Sequence, residues 1–359
     1  MNVLFTSIKI GSITIKNRFV RSSTHEYLAS KDGEVTEKLI DVYRQLAKGG
    51  VGLINTGYTY VHPTGKSSLK QGAIYDDRFL DGWRKLVNVV HSYDAKIALQ
   101  IVHGGRQTRP KFILGEPLAP SPVTDSSTGV TPKEMTVEEI EMIRDAFVDA
   151  IRRARDAGFD AVELHIAHGY LLSEFISPYT NHRTDQYGVT TENRVRIIVE
   201  ILTKAREMVG RDYTIFAKLN SEDCIVGGLT IDESEKVARI LAENTLDAIE
   251  LSGGIAEAGA VSSRPNIDSP DKEAYFFPYA KRIKEATNLP LILVGGIRSL
   301  SVMETLINSG YVDMIAMSRP FIREPDFVNK LKSGVSHKSE CISCNECFNP
   351  RGIHCSQLK

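Results

Sequence analysis

Short apolar runs recur along the chain, each closed off by polar or glycine residues and most followed by a stretch with helical spacing. They are Asn17–Ser22, Val51–Thr56, Ile97–Val102, Ala161–His165, Thr214–Leu219, Ala248–Ser252, Pro290–Gly295 and Val312–Met317. Their near-continuous hydrophobicity suits parallel strands buried on both faces. Between them, Val137–Ala157 carries apolar residues three and four apart with charges on the other face, and stops at Gly158. Asn193–Met208 and Ile231–Glu243 share this pattern, and Thr36–Lys48 ends at Gly49-Gly50.

Strand–helix alternation predicts a parallel sheet, and eight repeats predict its closure into a (β/α)8 TIM barrel of the α/β class. An open doubly wound sheet shows the same alternation, but no GxGxxG joins a strand to a helix here, which argues against a dinucleotide-binding Rossmann domain. Two segments fall outside the alternation. Ile8–Ile15 predicts a hairpin turning at Gly11-Ser12, placed as a plug on the barrel's bottom. Gly104–Thr131 is rich in Pro, Gly, Ser and Thr and follows the third run, which predicts a lid over the site. The expected organisation is a barrel over residues 1–330 and a cysteine-rich extension over 331–359.

Composition narrows the partners. The 44 basic and 45 acidic side chains nearly cancel, and no basic stripe carries interleaved aromatics, so nucleic acid is not an expected partner. No segment approaches the roughly 20 uninterrupted apolar residues of a membrane helix. The opening MNVLFTSIKIGS lacks a charged region, apolar run and cleavage site, so the expected location is cytoplasmic.

Barrel enzymes work at the C-terminal ends of their strands. The fourth run leads into Glu163-Leu164-His165-Ile166-Ala167-His168-Gly169-Tyr170, where two histidines three apart can face the mouth and a glycine lets the backbone turn before the tyrosine. Three readings fit the pair: metal ligands, hydrogen-bonded structural histidines, or two donors for an oxyanion with a tyrosine acid beside them. Val294-Gly295-Gly296 after the seventh run, Ser318-Arg319 after the eighth and Ser252-Gly253-Gly254 after the sixth suit a phosphate-bearing ligand. Glycine admits an oxygen close to the main chain, and arginine can grip it with two bonds.

The ordered motif His165-x-x-His168-Gly169-Tyr170-Leu171-Leu172, with Glu174-Phe175, Ser177-Pro178, Asn181-x-Arg183-x-Asp185-x-Tyr187-Gly188 and Glu192-Asn193-Arg194, resembles the signature of the old yellow enzyme family. The resemblance extends through Asn17-Arg18 and His103-Gly104-Gly105-Arg106-Gln107, and covers roughly residues 1–330. It implies an FMN-dependent ene reductase working by ping-pong: NAD(P)H reduces the flavin, and an α,β-unsaturated carbonyl or nitro compound then takes the hydride. By the same resemblance His165 and His168 hold the substrate oxygen and Tyr170 supplies the proton. Gln100 reads the pyrimidine edge, Lys218 places a cation near it, and Ser22, Ser23, Thr24, His25 and Gly57 join the flavin contacts. Ser252, Gly253, Gly254, Gly295, Gly296, Ser318 and Arg319 complete them on the phosphate side. His25 stands where relatives often carry cysteine or threonine, which puts the flavin potential in doubt. Tyr27 is either a pocket residue or a packed lid residue. Arg183, Asp185, Asn193 and Arg194 are expected to brace the loop. Homo-oligomers are common in the family.

Cys341-x2-Cys344-x2-Cys347-x7-Cys355 departs from the simpler family pattern. It resembles the cysteine segment of the 2,4-dienoyl-CoA reductase branch, which implies a [4Fe–4S] cluster, while the spacing alone also admits a Zn²⁺ site or a remnant. Two rival readings follow: a flavin/iron–sulfur electron-transfer component of a larger reductase, or a flavin-free phosphate-binding barrel lyase.

Overall fold

The computed structural model describes residues 2–358. A hairpin of β1 (Ile8–Ile10) and β2 (Ile13–Ile15) pairs antiparallel and turns at Gly11, whose φ of 53° suits glycine. The barrel strands follow as β3 (Phe19–Arg21), β4 (Leu53–Asn55), β6 (Lys96–Val102), β9 (Ala161–Ile166), β10 (Thr214–Asn220), β11 (Ile249–Ser252), β12 (Leu291–Leu293) and β13 (Met314–Met317). All pair parallel, β13 returning to β3 and β4 joining β6, so the eight close on themselves. A short β5 (Thr59–Tyr60) adds to β6, and β7 (Leu118–Ala119) pairs with β8 (Lys133–Glu134) within the connection after β6.

Helices α1 (Glu37–Lys48), α2 (Leu80–His91), α3 (Val137–Asp156), α5 (Thr191–Val209), α6 (Ile231–Glu243), α7 (Phe277–Thr287) and α8 (Leu300–Asn308) form most of the surrounding layer. Short α4 (Leu171–Ile176), α9 (Arg319–Arg323) and α10 (Phe327–Lys332) complete the set. Their starts are legible in the sequence: Thr136 and Thr230 each form a capping box with a glutamate three residues on, so two orphan amides are satisfied at each helix entry. All eight predicted strand runs and all four predicted helices appear, with ends shifted by a residue or two.

Side chains alternate along each strand, and this divides the interior. Val20, Leu53, Ala98, Ala161, Phe216, Ile292 and Met314 point inward near the strand starts, and Ile10 and Ile13 of the hairpin pack against them. The hairpin is therefore the plug the sequence predicts: Ser12 N–H donates to Thr214 Oγ1 at the start of β10. Outward residues such as Leu99, Val162, Ile215 and Leu251 meet the helices in the larger core. Two residues further along, the inward positions of six strands turn polar, while β12 and β13 continue with Val294 and Ala316, and the site begins there.

Ile10→Ala should open a void in the plug without touching the site. The expected loss is about 3 kcal/mol of unfolding free energy, read as a lower urea midpoint at unchanged slope.

Candidate active site

The polar layer holds Ser22, Asn55, Gln100, Glu163, Lys218 and Glu250, every one of them buried. Lys218 Nζ is bonded to Glu250 and lies 3.0 Å from Ser22 Oγ and 3.9 Å from Glu163 Oε1. Asn55 Nδ2 donates to Glu250 Oε2 at 3.0 Å, and Gln100 Nε2 donates to Glu163 Oε2 at 2.7 Å. Ser23 Oγ–H donates in turn to Gln100 Oε1 at 2.7 Å. One ammonium thus faces two carboxylates. Burial pushes Glu163 well up, and the Lys218 charge does not overcome it. Burial acts on Glu250 as well, but the ammonium and the Ser22 hydroxyl outweigh it and hold that carboxyl down. The lysine expected as a cation for the ligand is therefore already paired (its stem still borders the cavity).

Above this floor, β9 ends in His165, and the chain then reverses through two left-handed residues, His168 (φ 62°) and Gly169 (φ 77°). A Cβ on Gly169 would stand 2.9 Å from Gln107 Nε2, which donates to the His168 carbonyl at 2.7 Å. The reversal brings the Tyr170 ring back over the mouth, 4.8 Å from the His165 ring, with the two imidazoles 5.3 Å apart. His168 Nε2 lies 2.8 Å from Ser252 Oγ, while His165 Nδ1 is buried with no partner. Burial, with Lys218 nearby, pushes His168 down to about 3 and His165 well below its ordinary value, so both rings are neutral. Burial also lifts Tyr170 to about 12, keeping its phenol protonated.

A cavity of about 400 Å³ opens at these groups. Ser22, Ser23, Thr24, His25, Gln100, His165, His168, Tyr170, Lys218, Ser252, Gly254, Gly296, Ser318 and Arg319 all border it, although they come from seven different strand ends. Gly57, Gly253 and Gly295 do not. Gly57 N–H donates to Glu26 Oε1 at 2.9 Å, and a Cβ there would lie 2.0 Å from Glu26 Oε2; its glycine serves that close approach, and Tyr58 faces the cavity instead. Gly253 is pressed against Phe276, and Gly295 lies behind Gly296 against Tyr275 and Phe276. His25 stacks on Tyr27 at 3.7 Å and touches Ser68 Oγ at 3.0 Å; burial lowers it to about 4. Tyr27 borders the cavity too. The predicted lid reaches it only through Gln107, while Leu114 in its middle is 96% exposed.

The tail is not separate from the site. Ser343 and Phe348 border the cavity, and Arg319 donates to the Ser343 carbonyl at 3.4 Å and Asn345 Oδ1 at 2.7 Å. Cys341, Cys344, Cys347 and Cys355 line a second, small cavity on the other side of Arg319. Among the described residues, however, no three His, Cys, Asp or Glu side chains converge as ligands of one metal ion. The expected metal site is thus not formed as a coordination sphere, and the Arg323 guanidinium donates to Cys355 Sγ at 3.7 Å. The bracing network is present: Arg183 holds Asp185 and the Met135 carbonyl, and Arg194 holds the Ile176 carbonyl and Glu233. Sequence reading missed Tyr58, Tyr275 and Arg298 at the cavity; the first directly follows a glycine that was singled out, and the other two carry no local signal.

Residues 3–338 match the profile of the NADH:flavin oxidoreductase / NADH oxidase family. A relative, NADH oxidase of Thermoanaerobacter brockii, is 41% identical over 347 residues, covering 95% of this chain and 52% of its own. The structure of 2-naphthoyl-CoA reductase with 2-naphthoyl-CoA superposes with a TM-score of 0.89 at 29% identity, over 97% of this chain and 54% of that one. The old yellow enzyme homologue from Zymomonas mobilis gives 0.79 at 25% identity, over 94% and 95%. The chain thus spans about half the length of the first curated relatives it matches. Among the described residues no helix is long and apolar enough to cross a membrane.

The depressed imidazoles make stability depend on pH with a definite sign. His25 and His168 stay neutral in the fold down to about 4 and about 3, whereas the unfolded chain protonates them below its ordinary value near 6.5. Between pH 6.5 and 4 the unfolded state binds more protons, so unfolding free energy should fall as pH falls, by up to about 1.4 kcal/mol per pH unit for each ring. Urea titrations at pH 7, 6 and 5 check this, and His25→Asn should flatten the slope.

Proposed function

The chain belongs to the NADH:flavin oxidoreductase / NADH oxidase family, and from that premise we propose that it is an FMN-dependent NAD(P)H oxidoreductase reducing activated C=C bonds of α,β-unsaturated carbonyl or nitro compounds. The observation that carries this reading is the convergence of a partnerless neutral imidazole, a second imidazole and a protonated phenol over a cavity with a polar inner wall.

The residues present fit FMN. Gln100, Ser22, Ser23 and Thr24 offer hydrogen-bonding groups at the inner wall, the stem of the paired Lys218 borders it, and His25 lies close by. At the other end Gly254, Gly296, Ser318 and Arg319 offer open backbone and a cation for a phosphate. A Cβ on Gly296 would come within 2.8 Å of the Tyr275 ring, and its φ of 71° also calls for glycine. A volume of about 400 Å³ lies within the range of small-ligand sites. Bound FMN would supply hydride chemistry in two half-reactions, accepting from NAD(P)H and giving to the alkene.

The chain's own residues do the rest. His165 and His168, neutral and fixed, donate N–H bonds to the carbonyl or nitro oxygen, where negative charge grows as hydride arrives at carbon. Tyr170 holds its proton at neutral pH and releases it to the substrate carbon. The lyase alternative is disfavoured by Lys218, which is committed to Glu250 and so is a poor Schiff-base nucleophile. For the tail, the finer proposal is that Cys341, Cys344, Cys347 and Cys355, which do not converge on one point in the structure, draw together around a [4Fe–4S] cluster or Zn²⁺ when it binds. Their spacing and shared cavity support this. Iron with acid-labile sulfide would mark the cluster, zinc without sulfide the ion, and neither would end the proposal.

Purified protein should show flavin absorption bands, and a colourless folded preparation would defeat the flavin reading. Tyr170→Phe should slow alkene reduction by about 10²- to 10⁴-fold while leaving flavin reduction by NAD(P)H intact, measured by stopped flow. Equal loss in both half-reactions would remove Tyr170 from the acid role.

A further inference from the structure

Arg319 stands at the corner of the cavity that suits a phosphate, and much of its hold comes from outside the barrel. Its hydrogen bonds to the protein all leave from one nitrogen. Nη1 donates to the Arg264 carbonyl at 2.9 Å, the Ser343 carbonyl at 3.4 Å and Asn345 Oδ1 at 2.7 Å. Acceptors gathered at one nitrogen fix the plane of the guanidinium. Nε and Nη2 form no bond to protein among the described residues. Together they make an edge of two parallel N–H donors, the fork that matches phosphate oxygens.

The shortest of the three bonds comes from the tail. Asn345 lies between Cys344 and Glu346 in a left-handed backbone conformation, with φ of 64°, which asparagine adopts more readily than most residues. Both ends of its amide are used. Oδ1 accepts from Arg319 and from Ser263 Oγ–H at 3.1 Å, while Nδ2 donates to the Ser263 carbonyl at 2.7 Å. A guanidinium only donates, so the amide oxygen must face it, and that same orientation turns the NH2 group to a carbonyl. Alongside, Asn266 N–H donates to the Ser343 carbonyl at 3.2 Å. The tail and the 263–266 segment are thus clasped together, and Arg319 is bonded to both. Ser263 and Ser343 border the cavity, so the clasp forms part of its wall.

We infer that Asn345 is a positioning residue for the flavin phosphate. It holds Arg319 by Nη1 and leaves Nε and Nη2 for the ligand, so the tail completes the end of the site that takes a phosphate monoester. The inference rests on FMN being the ligand. Asn345 acts through Arg319, and its effect falls on cofactor binding. An aspartate in its place would keep the acceptor but lose the bond to Ser263 and set a negative charge beside the phosphate.

The test uses the full chain freed of flavin and titrated with FMN and with riboflavin, which lacks the phosphate, by quenching of flavin fluorescence. The unsubstituted chain should prefer FMN. Asn345→Ala should weaken FMN about tenfold and leave riboflavin unchanged. Arg319→Ala should weaken FMN at least as much. The double variant should bind FMN no worse than Arg319→Ala alone, since one residue acts through the other. Ser263→Ala removes one bond of the clasp from outside the tail and should weaken FMN about threefold, again sparing riboflavin; it decides the matter should Asn345→Ala not fold. Equal weakening of both flavins would reduce the clasp to a structural role and overturn the inference. Additive losses in the double variant, or FMN affinity unchanged in both clasp variants, would overturn it too. An unsubstituted chain that binds neither flavin would instead defeat the FMN reading, whereas one that binds FMN regardless of the clasp defeats this inference alone.

Discussion

A single lysine shut inside a closed barrel with two carboxylates sets the terms for the rest of the site. Eight parallel strands leave every second side chain nowhere to go but the axis. Near the strand starts those side chains are apolar and the hairpin seals them. One layer up they are Lys218, Glu163 and Glu250, with Ser22, Asn55 and Gln100. Buried charges are tolerated only when paired and hydrogen-bonded. Each polar neighbour here supplies a bond to one member of the trio or to its partner. Strand register is thereby tied to site geometry, since a one-residue slip would exchange this layer for the apolar faces that meet the helices.

Burial above that layer works in one direction on the catalytic imidazoles and on the phenols of Tyr58 and Tyr170. It drives the imidazoles toward neutral bases and the phenols toward protonated acids. Neutral imidazoles still donate N–H bonds, and protonated phenols still carry the proton that the proposed reaction needs. The same exclusion of water that suits polar-bond catalysis thus sorts the donors into those that hold an oxygen and those that hand over a proton. The nearby ammonium reinforces the sorting, because it disfavours a second cation on either histidine.

The tail shows how a segment outside the barrel enters its chemistry. Arg319 opens α9 at the phosphate-like corner and also grips Ser343 and Asn345. Its guanidinium links the cavity that Phe348 borders to the one lined by the four cysteines.

The sequence by itself determined the strands, the helices, the closure and the plug, because these follow from periodicity and capping within a few residues of each position. It also pointed to His165, His168 and Tyr170, since a two-residue left-handed reversal between strand and helix has a local signature in His168-Gly169. Tertiary structure decided what those residues meet. Lys218 reads as a free cation until its partners arrive from Ser22, 196 positions away, and Glu250, 32 away. Gly57 reads as a ligand contact until Glu26 takes up the space beside it and Tyr58 turns inward. The fold of the tail over the mouth is equally silent in its own residues. Pairings of this kind depend on closing the barrel, which brings distant strand ends to one axis, and no local pattern encodes which of them will touch.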